Sequence, residues 1–596
     1  MERRLLLAIL LTFLVLTVYQ WLLPKPPPGQ TPGASPTGAT SSGTSGSGAT
    51  GSPPSGSITS TAGQSALTGP AAPIAAELPP VQTVVADTTE KTIVVDNGSV
   101  RAEFSNRGAN ITSWQLLQYH DNAGKPLELV PRDAPPDSPR PFSLKLDDPA
   151  KTARVNTALY NTVNSPPATV DGTRSPAALT FEYQDASGLH VRKQFRIEPN
   201  SYVITFSATV MDGDAAVNPS IRWGPGLGDI LALGPGNGRN IRRAEGIYDI
   251  DGSVKRQLAP ALKTTPRYEG NFAFAGVDTH YFISVAIKPG PAQIEYEPVS
   301  VPIAGSNPPL SRDYIAYDIR LSAPPSNARF FFGPKHFDTL KAVDGELVRA
   351  IWFGMFSFLA VPLLSALNWI HRFVGNYGWS ILALTVLINA VMFPLRHKSF
   401  VSMRKMQEIQ PQVKQIQDRY AKLKMSDPAR QKMNTELMDL YRSKGVNPAS
   451  GCIPMLLTFP VLLAFYGLLS ESVELRGAPF IFWIKDLSVM DPYYVTPILM
   501  GVSQLAQQRM APAAADPAQQ KMMMIMPVVF TFLFITYPSG LALYWLASNV
   551  LLIGQQMLTN YLIGPPDIRV PRPSAERRLK KVGEGKTEAV AEGEPG

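Results

Sequence analysis

The uncharged run Trp379–Leu395, followed at once by Arg396, His397 and Lys398, constrains this chain more than any other stretch. As a helix rising 1.5 Å per residue it reaches roughly 25 Å, most of the hydrocarbon thickness of a bilayer. Its strongest polar groups are Thr385 and Asn389, four residues apart and therefore on one helix face. A polar stripe in lipid costs free energy unless it faces protein or water. The helix is therefore predicted to line a wet interior.

The whole chain has 596 residues, too many for one domain, and its hydrophobicity is uneven. Apolar runs crowd the first twenty-odd residues and the last third. The net charge of +8 sits mostly beside those runs. That distribution suits a positive-inside membrane protein, and no specific nucleic-acid sequence is expected as a partner. Cys452 is the only cysteine, which rules out an intrachain disulfide and cysteine-based metal cages. No metal and no cofactor are expected.

Residues 1–23 place Arg3 and Arg4 before an apolar run that continues into Pro24-Lys25-Pro26. The run is long for a secretory signal and lacks a small-x-small cleavage site, so it reads as an uncleaved anchor with its N-terminus inside. Residues 24–80 are rich in Pro, Gly, Ser, Thr and Ala and form a flexible linker. From 81 to 340 the pattern becomes strand-like: Thr92–Val95, Val100–Phe104, Leu179–Tyr183, His190–Ile197, Tyr202–Val210, Tyr281–Ile287 and Tyr314–Leu321, punctuated by turn residues. This reads as an all-β sandwich. Gly224-Pro225-Gly226-Leu227-Gly228 lacks the basic residue and helix of a phosphate loop and reads as a turn. His190 and His280 read as packing or surface residues, not ligands.

Parity fixes the next segment. An inside N-terminus puts the sandwich outside. If 351–370 also spanned, the strongly basic loop after Leu395 would lie outside, against the positive-inside rule. Residues 341–376 are therefore expected to form an amphipathic helix on the outer membrane surface. The basic loop, 397–450, reads as a helical hairpin. Its apolar residues fall three or four apart, including Met403, Met406, Ile409, Val413 and Ile416 on one arm and Met433, Leu437, Leu440 and Tyr441 on the other. Arg404 and Lys405 lie beside its methionines, a combination fitted to receive apolar chains or anionic headgroups at the inner membrane face. A self-packed pair with a solvated basic outside is compatible with that use.

Further apolar segments cover about 452–470, 493–508, 522–537 and 540–563, and a basic tail fills 564–596. The count gives an N-terminal anchor plus a five-helix core over 377–563, with both termini inside. No ionisable side chain lies in the apolar interiors of the five core spans, which disfavours ion-coupled transport. No nucleophile with a base and no paired carboxylates are present, so no enzyme chemistry is expected. What the spans carry instead is neutral polarity: Thr385, Asn389, Ser503, Gln504, Gln507, Gln508, Ser548, Asn549, Gln555 and Gln556. Each can tie helices together, worth about 0.6 kcal/mol. Together they can also line a water-holding groove. A channel or transporter with an external β receptor domain is the alternative function, and a surface-anchored carbohydrate-binding protein a third.

The motifs that remain are distinctive: Phe-Gly-Pro-Lys at 332–335, Trp-Ile-His-Arg-Phe-Val-Gly-Asn at 369–376, Met-Phe-Pro-Leu at 392–395, Val-Asn-Pro-Ala-Ser-Gly-Cys-Ile-Pro at 446–454, Ser-Val-Glu-Leu-Arg at 472–476, Asp-Pro-Tyr-Tyr at 491–494 and Pro-Ser-Gly-Leu-Ala-Leu-Tyr-Trp at 538–545. In these the chain resembles the YidC family of Oxa-type membrane protein insertases, of the Gram-negative type with a large periplasmic domain. The resemblance implies an α-helical polytopic protein of the bacterial inner membrane with the β sandwich in the periplasm. It implies an insertase and folding chaperone that moves nascent membrane proteins through a groove open to lipid and cytoplasm, alone or with the Sec translocon. Ribosomes and membrane lipids are the other implied partners. On the family pattern Thr385 lines the groove, and Tyr544 and Trp545 occupy an aromatic pair in which Tyr is expected at the second position; of the neutral polar set, Asn389, Ser503, Gln504, Gln507 and Asn549 are expected to line the groove with them, and Met403, Arg404, Lys405 and Met406 to form the capture hairpin. Many members carry an arginine where this chain has Asn389, and the sequence offers no other charge within the spans to replace it.

Overall fold

The computed structural model describes residues 82–121, 123–133, 138–164, 166–229, 243–264, 266–302, 311–420, 429–446, 453–510 and 517–563. The anchor expected over 1–23, the linker over 24–80, the tail over 564–596 and residues 421–428 of the expected hairpin lie outside them.

Strands run from Thr83–Val85 to Ala328–Pro334 and form two sheets, one of fourteen strands and one of five. Pairing is antiparallel except between Thr92–Asp96 and Thr169–Asp171. Alternation of side chains across the pleat explains why these segments were legible. In Ala177–Asp185 and Leu189–Ile197 every second residue is buried. The register opposes Phe195 to Phe206 on one side and to Leu179 on the other. Phe142 packs edge-on against Phe195, Phe330 and Phe332, and Trp223 stacks on Phe332 at 3.9 Å. Trp114 of the smaller sheet donates from Nε1 to the Phe332 carbonyl at 3.0 Å, which ties the two sheets together.

Two local features show how completely this core is enclosed. The Lys193 ammonium is buried and donates to the carbonyls of Gly108 (2.6 Å), Ala109 (3.2 Å) and Phe142 (2.9 Å). Burial pushes its pKa down to about 7. The three acceptors work against that shift, because only the charged form has three protons to give them. The Gly224–Gly228 segment, expected as a turn, is buried, and a Cβ on Gly226 would fall 2.9 Å from Cβ of Tyr314.

The strand Ala328–Pro334 delivers the chain to the helical part. Lys335 is 1% exposed and Asp278 0%, and their ion pair spans 3.1 Å; the same ammonium donates to Thr279 O at 2.7 Å. The interfacial segment is not one helix over 341–376. It is a short helix Phe337–Val343, a 3₁₀ turn Leu347–Ala350 and a helix α1, Ser357–Val374. Gly354, at φ 76°, precedes α1, and Gly375, at φ 71°, ends it in the left-handed conformation that favours glycine. α1 buries Ala360, Leu364 and Leu367 and exposes Met355, Phe358, Trp369 and Phe373 on or just before it. By length and composition alone it is apolar enough to cross a membrane.

The helices longer than ten residues that follow α1 among the described residues are α2 (Tyr377–Tyr420), α3 (Ala429–Ser443), α4 (Ile453–Glu471), α5 (Val495–Met510), α6 (Pro517–Phe534) and α7 (Ser539–Ile563). No break separates the apolar part of α2 from the first arm of the basic hairpin. The hairpin closes on a small core of Ile409, Val413 and Val446, with Met406, Leu437, Leu440 and Tyr441 packed around it.

The sandwich docks directly on the helical part. His280 Nε2 meets Ser470 O at 2.7 Å, the Phe337 N–H donates to Glu474 Oε1 at 3.0 Å, and the Arg476 guanidinium lies 5.1 Å from the Phe282 ring. Burial raises the pKa of Glu474 and lifts Asp229 to about 6. His280 is thus neither a ligand nor a surface group but part of the joint. His190, by contrast, pairs with Glu182 at 2.9 Å.

Candidate functional site: a polar strip through the helical core

α2 positions the first part of the strip. Thr385 is 0% exposed and Asn389 8%. Both bond first to their own helix: Thr385 Oγ1 donates to Ile381 O at 2.6 Å, and Asn389 Nδ2 donates to Thr385 O at 2.8 Å. The Asn389 side-chain carbonyl accepts from Arg396 Nη1. Arg396 is itself buried.

This corrects the expectation that no charge reaches the spans. Seven residues is close to two helical turns, so Arg396 shares a face with Asn389. Helical side chains lean toward the N-terminus, and an arginine stem is long and apolar, so the guanidinium of a residue just past the apolar run is carried back into it. The signal was present in the sequence as the spacing 389–396.

α7 supplies the opposing wall. Tyr544 is buried, stacks on Phe465 of α4 at 4.1 Å and lies within electrostatic reach of Arg396. Trp545 points elsewhere and packs on Phe530 and Phe534 of α6. The aromatic pair is therefore divided between two neighbours.

Ser503 and Asn549 form a separate cluster. Asn549 Nδ2 donates to Ser503 Oγ at 3.0 Å and to Met500 O at 3.3 Å, and Ser503 Oγ donates to Met500 O at 2.7 Å. These two residues tie α5 to α7. Gln504 and Gln507 are half-buried on α5, and Gln504 Oε1 has no hydrogen-bond partner among the described residues. Gln556 donates to Met510 O, and Gln555 donates to Phe393 O at 3.4 Å. On the hairpin, Lys405 is exposed, Met403 and Arg404 are half-buried, and Met406 turns into the hairpin core. Among the described residues no group of three or more His, Cys, Asp or Glu could hold a metal ion.

The fold and the strip define a class: a helical membrane protein with a β sandwich joined to one end and a basic helical hairpin continuous with a core helix. Residues 369–564 match the family model described as the 60Kd inner membrane protein, and residues 92–366 match that of the YidC periplasmic domain. A relative named membrane protein insertase YidC, from Geobacter metallireducens, is 32% identical over 600 residues, covering 96% of this chain and 100% of the relative. Another of that name, from Geobacter sulfurreducens, is 35% identical over 496 residues, covering 80% and 87%. A solved structure described as the active YidC insertase with its first transmembrane domain resolved is 18% identical, covering 81% of this chain and 95% of that one, with a TM-score of 0.32. The chain belongs to the YidC family, a family of inner-membrane proteins with a periplasmic domain.

Proposed function

We propose that this protein is a membrane protein insertase: it receives nascent transmembrane segments at the cytoplasmic hairpin and passes them along the polar strip into the lipid, with no bond chemistry. The observation that carries this reading is the buried line Thr385–Asn389–Arg396, faced by Tyr544, in a core whose outward faces are apolar. Val386, Val391, Val528, Val529 and Phe532 are among the exposed side chains of that core. Such a surface suits lipid, and a polar line within it gives the short polar flank of a substrate somewhere to pass.

Amide, hydroxyl and phenol groups can both donate and accept, so they serve flanks of either charge sign. Asn389 and Arg396 together give the strip a polar, charged face without an arginine at 389. The hairpin continues the same helix, which supports Met403, Arg404 and Lys405 as the entrance; flexible methionines adapt to varied apolar segments. In this reading both termini and the hairpin are cytoplasmic, the sandwich is periplasmic, and the ribosome and Sec translocon deliver substrates. The names of the relatives support the insertase reading and that of the family model over residues 92–366 a periplasmic sandwich, while the termini, the ribosome and the Sec translocon rest on the resemblance of the sequence motifs alone.

The test is insertion of matched single-span substrates with acidic, neutral and basic flanks, in cells depleted of their own insertase. Thr385→Leu with Asn389→Leu should impair all three at equal expression. Undiminished insertion of all three by that variant would refute the role of the strip.

A further inference from the structure

α2 carries Pro394 in its interior, between the part that holds the strip and the part that holds the hairpin arm. A proline there lacks the N–H that would bond Ala390 O, and its ring presses on the preceding turn, so a helix is weakest at such a point. The polar side chains around it are arranged to span that weak point. Asn389, before the proline, accepts from Arg396, after it. Asn389 is anchored in turn to Thr385 O at 2.8 Å, so the link runs over three turns of one face. At 100° per residue, Pro394 lies about 140° around the helix from Asn389, so the link and the proline occupy different walls.

α7 braces the same place from across the interface. Gln555 Nε2 donates to Phe393 O at 3.4 Å, on one side of the proline. His397 Nδ1 and Thr559 Oγ1 are 3.4 Å apart on the other side. The Phe393 and His397 rings, one before and one after the proline in sequence, stack on each other at 5.9 Å and 10°. Arg396, Gln555 and Thr559 are all buried, although buried arginine and glutamine are costly in an apolar core unless they are bonded.

We infer that the Asn389–Arg396 pair is a splint across Pro394, and that Arg396 is a positioning residue that fixes the aim of the cytoplasmic hairpin relative to the polar strip. The inference rests on the insertase reading for its functional consequence, but not for its geometry. It gives Asn389 a second role beyond polarity, since its amide links the backbone carbonyl of Thr385 to the side chain of Arg396. It also gives Met-Phe-Pro-Leu at 392–395 a mechanical meaning: a hinge point that the surrounding side chains hold shut.

The experiment uses the full chain with Cys452→Ser, reconstituted in lipid nanodiscs, with spin labels at exposed Gln415 on the hairpin arm and exposed Tyr561 on α7. The variants are Arg396→Gln, Pro394→Ala and the two together. Arg396→Gln should broaden the distance distribution between the labels. It should also lower insertion about tenfold for acidic, neutral and basic flanks alike, the fold-change that ~1.4 kcal/mol represents. Adding Pro394→Ala should narrow the distribution again and restore insertion, because a helix without the proline does not need the splint. A misfolded Arg396→Gln protein would not be rescued in this way. Loss confined to acidic flanks with unchanged distances would make Arg396 a charge that attracts substrate, and would overturn the inference. So would loss without rescue, or no loss. If wild type inserts none of the substrates, the insertase reading fails, and the distances alone decide the splint.

Discussion

Replacing Lys335 by Met should destabilise the sandwich at the end that meets the helical core. The ammonium is buried against Asp278 at 3.1 Å and Thr279 O at 2.7 Å. Removing one partner of a buried ion pair typically costs about 3–5 kcal/mol, because the other charge stays buried. Arg256 Nη2 stands 3.6 Å from the same Asp278 oxygen and offsets part of the loss, so the low end, about 3 kcal/mol, is expected here. For 150–250 residues each kcal/mol moves the melting temperature about 2–4 °C, so the shift should be about 6–12 °C. The assay is thermal unfolding of the full chain followed by tryptophan fluorescence, which reports on buried Trp114 and Trp223. Lys335→Met with Asp278→Asn should recover most of the loss, since the stranded charge is gone. A shift under about 2 °C for the single variant, or a double variant no more stable than the single, would refute the reasoning.

Other consequences are open to direct measurement. Asp229 holds its proton to about pH 6 when folded, whereas an unfolded aspartate releases it near 4, so sandwich stability should fall as pH rises through that window. Asp229→Asn should flatten that slope in thermal melts run at stepped pH. Asn549→Leu removes two bonds to α5 and should cost only about 0.6–1.7 kcal/mol, read by denaturant titration in detergent; a larger loss would mean that this cluster does more than tie helices. Val413→Asp puts a charge in the small hairpin core and should speed tryptic cleavage within the hairpin, leaving the melting of the sandwich unchanged. Equal cleavage rates would show that Ile409 and Val446 do not hold the hairpin together.

The sequence by itself determined the elements. Period-two alternation marked Leu189–Ile197 and its neighbours as strands, because one face of each had to be buried. Uncharged runs marked the helices later found at Ile453–Glu471 and Ser539–Ile563, because lipid excludes charge. Thr385 and Asn389 were legible as a buried polar face, and so as a candidate site, because polar groups in such a run demand an explanation. The tertiary structure decided what those elements touch. Nothing in the local sequence says what His280 and Glu474 touch, and only docking of the sandwich on the end of α4 makes them a buried joint. Ser503 and Asn549 were expected as polar groove residues, and only the packing of α5 on α7 shows that they bond to each other. Arg396 lay past the end of the apolar run and was counted as a flank. Its side chain turns back two helical turns to Asn389, and the direction in which a helical side chain leans, together with what receives it, is a property of the folded core.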